Sequence, residues 1–120
     1  MFSDTLVVTI DGVANTLVRV NQDAYSSEYR LKGVGGEFTM RIRNTSYKDK
    51  VRGVTVDRHN FELIKLIYPV APAVTPEIRK VYAVFENDAS ANLTNSAKHT
   101  VGSLAFLTEA NVTKMLNWES

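Results

Sequence analysis

"GEFTMRIRNTS", residues 36–46, decides how the chain reads. Phe38, Met40 and Ile42 alternate with Glu37, Thr39, Arg41, Arg43 and Thr45. Strict alternation puts the two sets on opposite faces of a β-strand. One face is apolar and asks for cover. The other carries arginines and hydroxyls, a chemistry suited to an anionic partner.

The neighbours extend this pattern into a sheet. "TLVVTIDGVANTLVRV" holds two apolar-rich runs around Asp11-Gly12, the dipeptide that tolerates the positive φ angles of a tight hairpin. Strands are predicted at about 5–10 and 13–20. "SEYRLK" sets Tyr29 and Leu31 against Glu28, Arg30 and Lys32, a third strand. The fourth is the opening stretch, ending near Thr45 before a charged loop, "SYKDKVRG". "VTVDRHNFELIKLIY" is a long fifth strand rich in β-branched and aromatic residues. Phe61 and Leu63 face one way; Arg58, Asn60 and Glu62 face the other. The alternation blurs after Ile64, where a bulge or a change of environment is expected. Prolines 69, 72 and 76 mark a loop, because proline lacks the amide donor a ladder needs. "IRKVYAVFEN" is the last strand, with Val81, Ala83 and Phe85 opposite Lys80, Tyr82, Val84 and Glu86.

Beyond it the period changes. Leu93, Ala97, Val101 and Leu104 recur at helical spacing, with Asp88 or Ser90 as the expected cap. Thr108 is the expected cap of a second helix carrying Val112, Met115 and Leu116. Strands followed by helices predict an α+β fold, an antiparallel sheet with two C-terminal helices on one face. Two helices of together about 25–30 residues are little cover for such a sheet, which points to a partner subunit.

Bulk properties narrow the function. A chain of 120 residues with 44% hydrophobic and 22% charged residues fits one folded domain. Cysteine is absent, which excludes disulfides, thiol catalysis and cysteine-ligated zinc. No apolar run approaches the roughly 20 residues of a membrane span. The opening "MFSDTLVVTIDG" lacks a basic region and a small-residue cleavage site, so no signal peptide is expected. Net charge is only +1, yet Arg30 to Arg58 holds eight Lys or Arg against three acids, and the rest holds six against ten. A local basic field attracts a polyanion without making the whole chain adhesive.

Catalytic signals are poor. His59 and His99 stand far apart with no ligand spacing, so neither a metal site nor any cofactor is expected. "DRH" at 57–59 reads as structural, without a nearby nucleophile or second acid. "GVGGE" at 33–37 lacks the Lys-Ser/Thr signature of a phosphate loop and reads as a turn. The basic strand set remains. Arginine forks match phosphate oxygens, hydroxyls reach sugar or base edges, and an unpaired base stacks on tyrosine. Such a face suits single-stranded RNA loops. An ordinary solvated sheet presents the same residue types, so the pattern alone leaves both readings open.

The order of the segments adds a resemblance. "RIRNTS", "DRHNFEL" and "PEIRKVY", after an N-terminal hairpin and before two helices, resemble the coat proteins of single-stranded RNA bacteriophages of the levivirus type. The resemblance covers nearly the whole chain and implies one coat-protein domain, residues 1–120. Residues 1–22 would form the hairpin, 24–87 a sheet of about five strands, and 88–118 the helices. It further implies an intertwined homodimer with a continuous ten-stranded sheet, in which each subunit's helices pack over its partner. Dimers would assemble into an icosahedral shell, in the bacterial cytoplasm, around genomic RNA. The protein would be no enzyme, would take no cofactor, and would repress replicase translation through an RNA hairpin. RNA contact is carried onto Thr39, Arg41, Arg43, Thr45, Arg58, Asn60, Glu62, Lys65, Lys80 and Tyr82, with Tyr82 as the stacking ring. The loop bearing Pro69, Pro72 and Pro76 would lie near the symmetry axes. A small cellular dimeric RNA-binding regulator that forms no particles is the alternative.

Overall fold

The computed structural model describes all residues, Met1–Ser120. Six strands run in order β1 (Thr5–Ile10), β2 (Val13–Gln22), β3 (Ser26–Lys32), β4 (Gly36–Asp49), β5 (Val54–Ile67) and β6 (Glu77–Asp88). Two helices follow, α1 (Leu93–Leu104) and α2 (Glu109–Leu116). Each strand pairs antiparallel with the next, so the sheet is a six-stranded meander in sequence order. The α+β reading therefore stands. The expected separation of the hairpin from a sheet of about five strands does not, because β2 pairs directly with β3.

Local chemistry explains the boundaries. Ile10 pairs with Val13, which leaves Asp11 and Gly12 as a two-residue turn at φ 51° and 75°. Positive φ at both central residues matches the twist of the flanking strands. Gly36 opens β4 where a Cβ would lie 2.4 Å from the Leu66 carbonyl oxygen, so the close approach of β5 requires glycine. The charged loop is shorter than expected. β4 continues through Tyr47 and Lys48 to Asp49, and only residues 50–53 turn. The Asp49 carboxylate accepts the amides of Val51 and Arg52 at 3.0 and 3.2 Å and closes that turn locally.

No bulge follows Ile64. The β4–β5 register is continuous from Gly36↔Ile67 to Asp49↔Val54. The blurred alternation comes from the other expected cause, a change of environment: Ile64 and Leu66 stand on the polar face, where they pair with Lys80 and Ile78. The one register shift lies instead between Arg19 and Asn21 on β2.

Asn92 caps α1, and its side chain accepts the Asn95 amide at 3.1 Å. The expected caps, Asp88 and Ser90, are displaced because Asp88 still belongs to β6 and binds Arg52. Thr108 caps α2 as expected, accepting from the Asn111 amide. The helices total 12 and 8 residues, less than the sequence suggested.

The core is small. Leu17, Tyr29, Phe38 and Met40 form one buried cluster, with Leu6, Val8, Leu31, Ile42, Phe61 and Leu63 packed around it. Arg19 ties the N-terminal segment onto this cluster. Its guanidinium donates to the Asp4 carboxylate at 2.8 Å, to the carbonyls of Phe2 and Ser3, and to the Tyr29 hydroxyl at 3.0 Å. Only five residues in the chain are buried. The accessible surface is 9288 Å², against about 6,500 Å² for a compact monomer of this mass. The radius of gyration is 17.3 Å, against about 13.6 Å expected.

Candidate nucleic-acid interface

The registers assign the two faces of the sheet. Phe38, Met40 and Ile42 pair with Leu31, Tyr29 and Ser27 on one side and with Lys65, Leu63 and Phe61 on the other. This is the face α1 approaches. Between α1 and the sheet lies an apolar cavity of about 480 Å³, lined by Ile42, Phe61 and Phe85 below and Leu93, Ala97 and Val101 above.

The opposite face is ordered in polar rungs. Thr39 stands beside Arg30, Ile64 and Lys80; Arg41 beside Glu28, Glu62 and Tyr82; Arg43 beside Ser26, Asn60 and Val84; Thr45 beside Arg58 and Glu86. Nine of the ten expected contact residues thus share one surface. Lys65 does not. It pairs with Phe38, and its ammonium lies 5.3 Å from that ring's centroid, on the helix-side face. The reason is the uninterrupted register: without a bulge, Lys65 keeps the parity of Phe61 and Leu63.

The charges on this face are unevenly committed. Glu28 and Glu62 flank Arg41 at 3.3 and 3.9 Å, and Glu62 also holds Lys80 at 3.3 Å. Lys80 leans over the Tyr82 ring at 5.5 Å. Glu86 receives Arg58 at 3.9 Å and accepts the Tyr47 hydroxyl at 2.9 Å, a bond that holds the Tyr47 phenol above its usual range. Arg43 enters no ion pair, and its rung partners Ser26 and Asn60 are neutral. It borders a polar cavity of about 140 Å³ shared with Asn21, Gln22, Ser26, Ser27, Arg41 and the carboxylate-bearing Glu28, which pairs with Arg41. Asn21 enters this site through the β2 register shift, which sets it opposite Glu28 and which strand patterning does not reveal.

At the far end of the sheet a clasp joins the β4–β5 turn to β6. Arg52 donates to Asp88 at 2.7 and 3.0 Å and to Asp49 at 3.0 Å. These contacts hold both carboxyls below the usual aspartate range. Val56 is buried beneath the clasp on the polar face.

Two other expectations resolve geometrically. His59 lies on the helix-side face, with Nδ1 2.8 Å and Nε2 2.9 Å from the side-chain oxygens of Asn44 and Asn87. Phe85 packs beside it at 5.3 Å, so "DRH" builds the sheet there. Pro69, Pro72 and Pro76 lie in the exposed β5–β6 connection, which Tyr68 tethers by donating to Glu37 at 3.1 Å.

The sheet thus combines a small core, an incompletely covered apolar face and a cationic opposite face. The family model described as phage phiCb5, coat protein, matches residues 3–88, all six strands. This chain belongs to that coat protein family. No curated protein matches it. The coat protein is accordingly a structural component of a phage capsid, and the virion is its location. The match ends at Asp88, so α1 and α2 are described by the structure alone.

Proposed function

We propose that this coat protein is of the single-stranded RNA phage type. It forms homodimers that assemble, in the bacterial cytoplasm, into an icosahedral shell around RNA. Residues 1–120 act as one domain. Two subunits join sheet edge to sheet edge, and each subunit's helices cover the other's apolar face. The polar face points inward, where Thr39, Arg41, Arg43, Thr45, Arg58, Asn60, Lys80 and Tyr82 meet RNA and Glu62 sets the poise of its cationic neighbours. The loop of Pro69, Pro72 and Pro76 lies near the symmetry axes. A hairpin bound on the inner face represses replicase translation.

The observation that carries this reading is the pairing of a coat-family sheet with a cationic face opposite its helices. The surface area supports it. An excess near 2,800 Å² per chain, about 5,600 Å² for a pair, reaches the upper end of obligate interfaces, which run from about 2,000 to beyond 5,000 Å² in total. The cellular-regulator alternative gains nothing from a coat-family match.

Expression in bacteria tests it. The protein should sediment as particles and protect RNA from nuclease, with RNA content falling as salt rises during assembly. Soluble dimers without protected RNA would refute the packaging role.

A further inference from the structure

The polar face carries a second exposed aromatic ring, Tyr47, outside the proposed RNA contacts. Tyr47 shares the parity of Arg41, Arg43 and Thr45 on β4 and stands opposite Val56 on β5. It is 45% exposed, yet its hydroxyl is committed, donating to Glu86 at 2.9 Å. Val56 is buried although it lies on this face. Opposed side chains of an antiparallel pair have Cβ atoms about 4.5–5.5 Å apart, so the ring lies within reach of the valine. The bond to Glu86 fixes the ring at its tip, and the strand fixes it at its base. With its one polar group taken, Tyr47 has a flat ring face left to offer a ligand.

The surroundings select which part of a nucleotide fits there. The Glu86 carboxylate at the ring's edge repels a phosphate. Arg58, about half exposed and held by Glu86 only at 3.9 Å, stands with Thr45 in the next rung. A phosphate placed beside Arg58 sets its base over Tyr47. Every base has a π face, and a tyrosine ring is a platform with only two side-chain torsions to fix. Tyr82 lies on the rung of Arg41, and Tyr47 lies on the rung of Asp88. Six residues of β4 separate these rungs, about 20 Å along the strand. Two rings so far apart on one face hold one strand at two points rather than one base twice.

We propose that Tyr47, oriented by Glu86, is a second base-stacking platform for single-stranded RNA, with Arg58 taking the adjoining phosphate. The proposal rests on the RNA-binding reading of this face and adds a contact to it.

The test titrates a labelled single-stranded RNA octanucleotide with the full chain and with its Tyr47→Leu and Tyr47→Phe variants. Loss of one stacked base costs about five- to 150-fold in affinity. Tyr47→Leu should lose that much, whereas Tyr47→Phe, which keeps the ring, should bind nearly as the parent does. The salt slope should stay the same in both variants, because stacking releases no counterion. On an abasic strand of the same length, Tyr47→Leu and the parent should bind alike. Equal losses in the two variants would trace the effect to the hydroxyl's bond with Glu86 and overturn the platform. No loss in either, or a loss that persists on the abasic strand, would overturn it too. Photo-crosslinking of the unsubstituted chain gives a readout that no folding defect can blur. An octanucleotide carrying 5-iodouracil should form adducts at both Tyr47 and Tyr82 on irradiation. Adducts at Tyr82 alone would refute the proposal and leave RNA binding on this face standing. An unsubstituted chain that binds no single strand would defeat the RNA-binding reading, and the role of Tyr47 with it.

Discussion

Replacing Arg43 with alanine tests which cations on the polar face engage RNA. Arg41 is shared between two carboxylates, whereas Arg43 has none and faces the polar cavity beside Ser26 and Asn60. Its guanidinium is therefore available to a phosphate without first breaking an ion pair. Each phosphate neutralised on a single strand contributes about 0.7 to the slope of log affinity against log salt. At 0.1 M salt, removing one contact costs about fivefold in affinity, roughly 1 kcal/mol. Between 50 and 200 mM the variant's affinity should also fall about 2.6-fold less than that of the parent. The assay is titration of a labelled single-stranded oligonucleotide with dimeric protein across that salt range. Sedimentation confirms that the variant remains dimeric. An Arg43→Ala protein with unchanged affinity and slope would refute the proposed role of this face, since its most available cation would then contact no phosphate.

Other perturbations follow from the same geometry. Glu62→Gln frees Lys80 and leaves Arg41 with Glu28 alone, so RNA binding should tighten and its salt dependence steepen, measured by the same titration. Truncation after Asn87 removes both helices and bares Phe61 and Phe85 on the apolar face; the product should partition to the insoluble fraction on expression. The Arg52 clasp predicts an acid limit. Asp49 and Asp88 have folded-state pKa values below the ordinary 3.8, so their contribution is complete above that value and is lost as pH falls through the lowered ones. Asp88→Asn should flatten the pH dependence of thermal stability below pH 4 while leaving it unchanged near neutrality.

Much of this fold was legible because alternation in β3, β4 and the first half of β5 is strict. Phe38 and Met40 are buried and Arg43 is exposed, as their parity requires. The Asp11-Gly12 turn and the Thr108 cap were also local, since short-range backbone chemistry dictates both. What failed was non-local. The extension of β4 to Asp49 depends on pairing with β5 and on Arg52 reaching Asp88, 36 residues away. The β2 shift that brings Asn21 to the polar face leaves no mark in the strand pattern. Lys65 was misplaced because Ile64 and Leu66 mimicked a bulge. Apolar residues on the outer face of β5 and β6 blur a two-period pattern without altering the register. The small core has the same origin. On the proposed assembly, a sequence written for a shared core spreads its apolar residues over surfaces that one chain leaves open, as at Val81, Val101 and Trp118.

A reconstruction of the purified protein by electron microscopy tests the central claim most directly. The account predicts closed shells of paired subunits, with α1 and α2 on the outer side of the sheet and nucleic-acid density against Arg43 and Tyr82 on the inner side. Shells with the helices turned toward the lumen, or a chain that remains unassembled at high concentration and low salt, would contradict it.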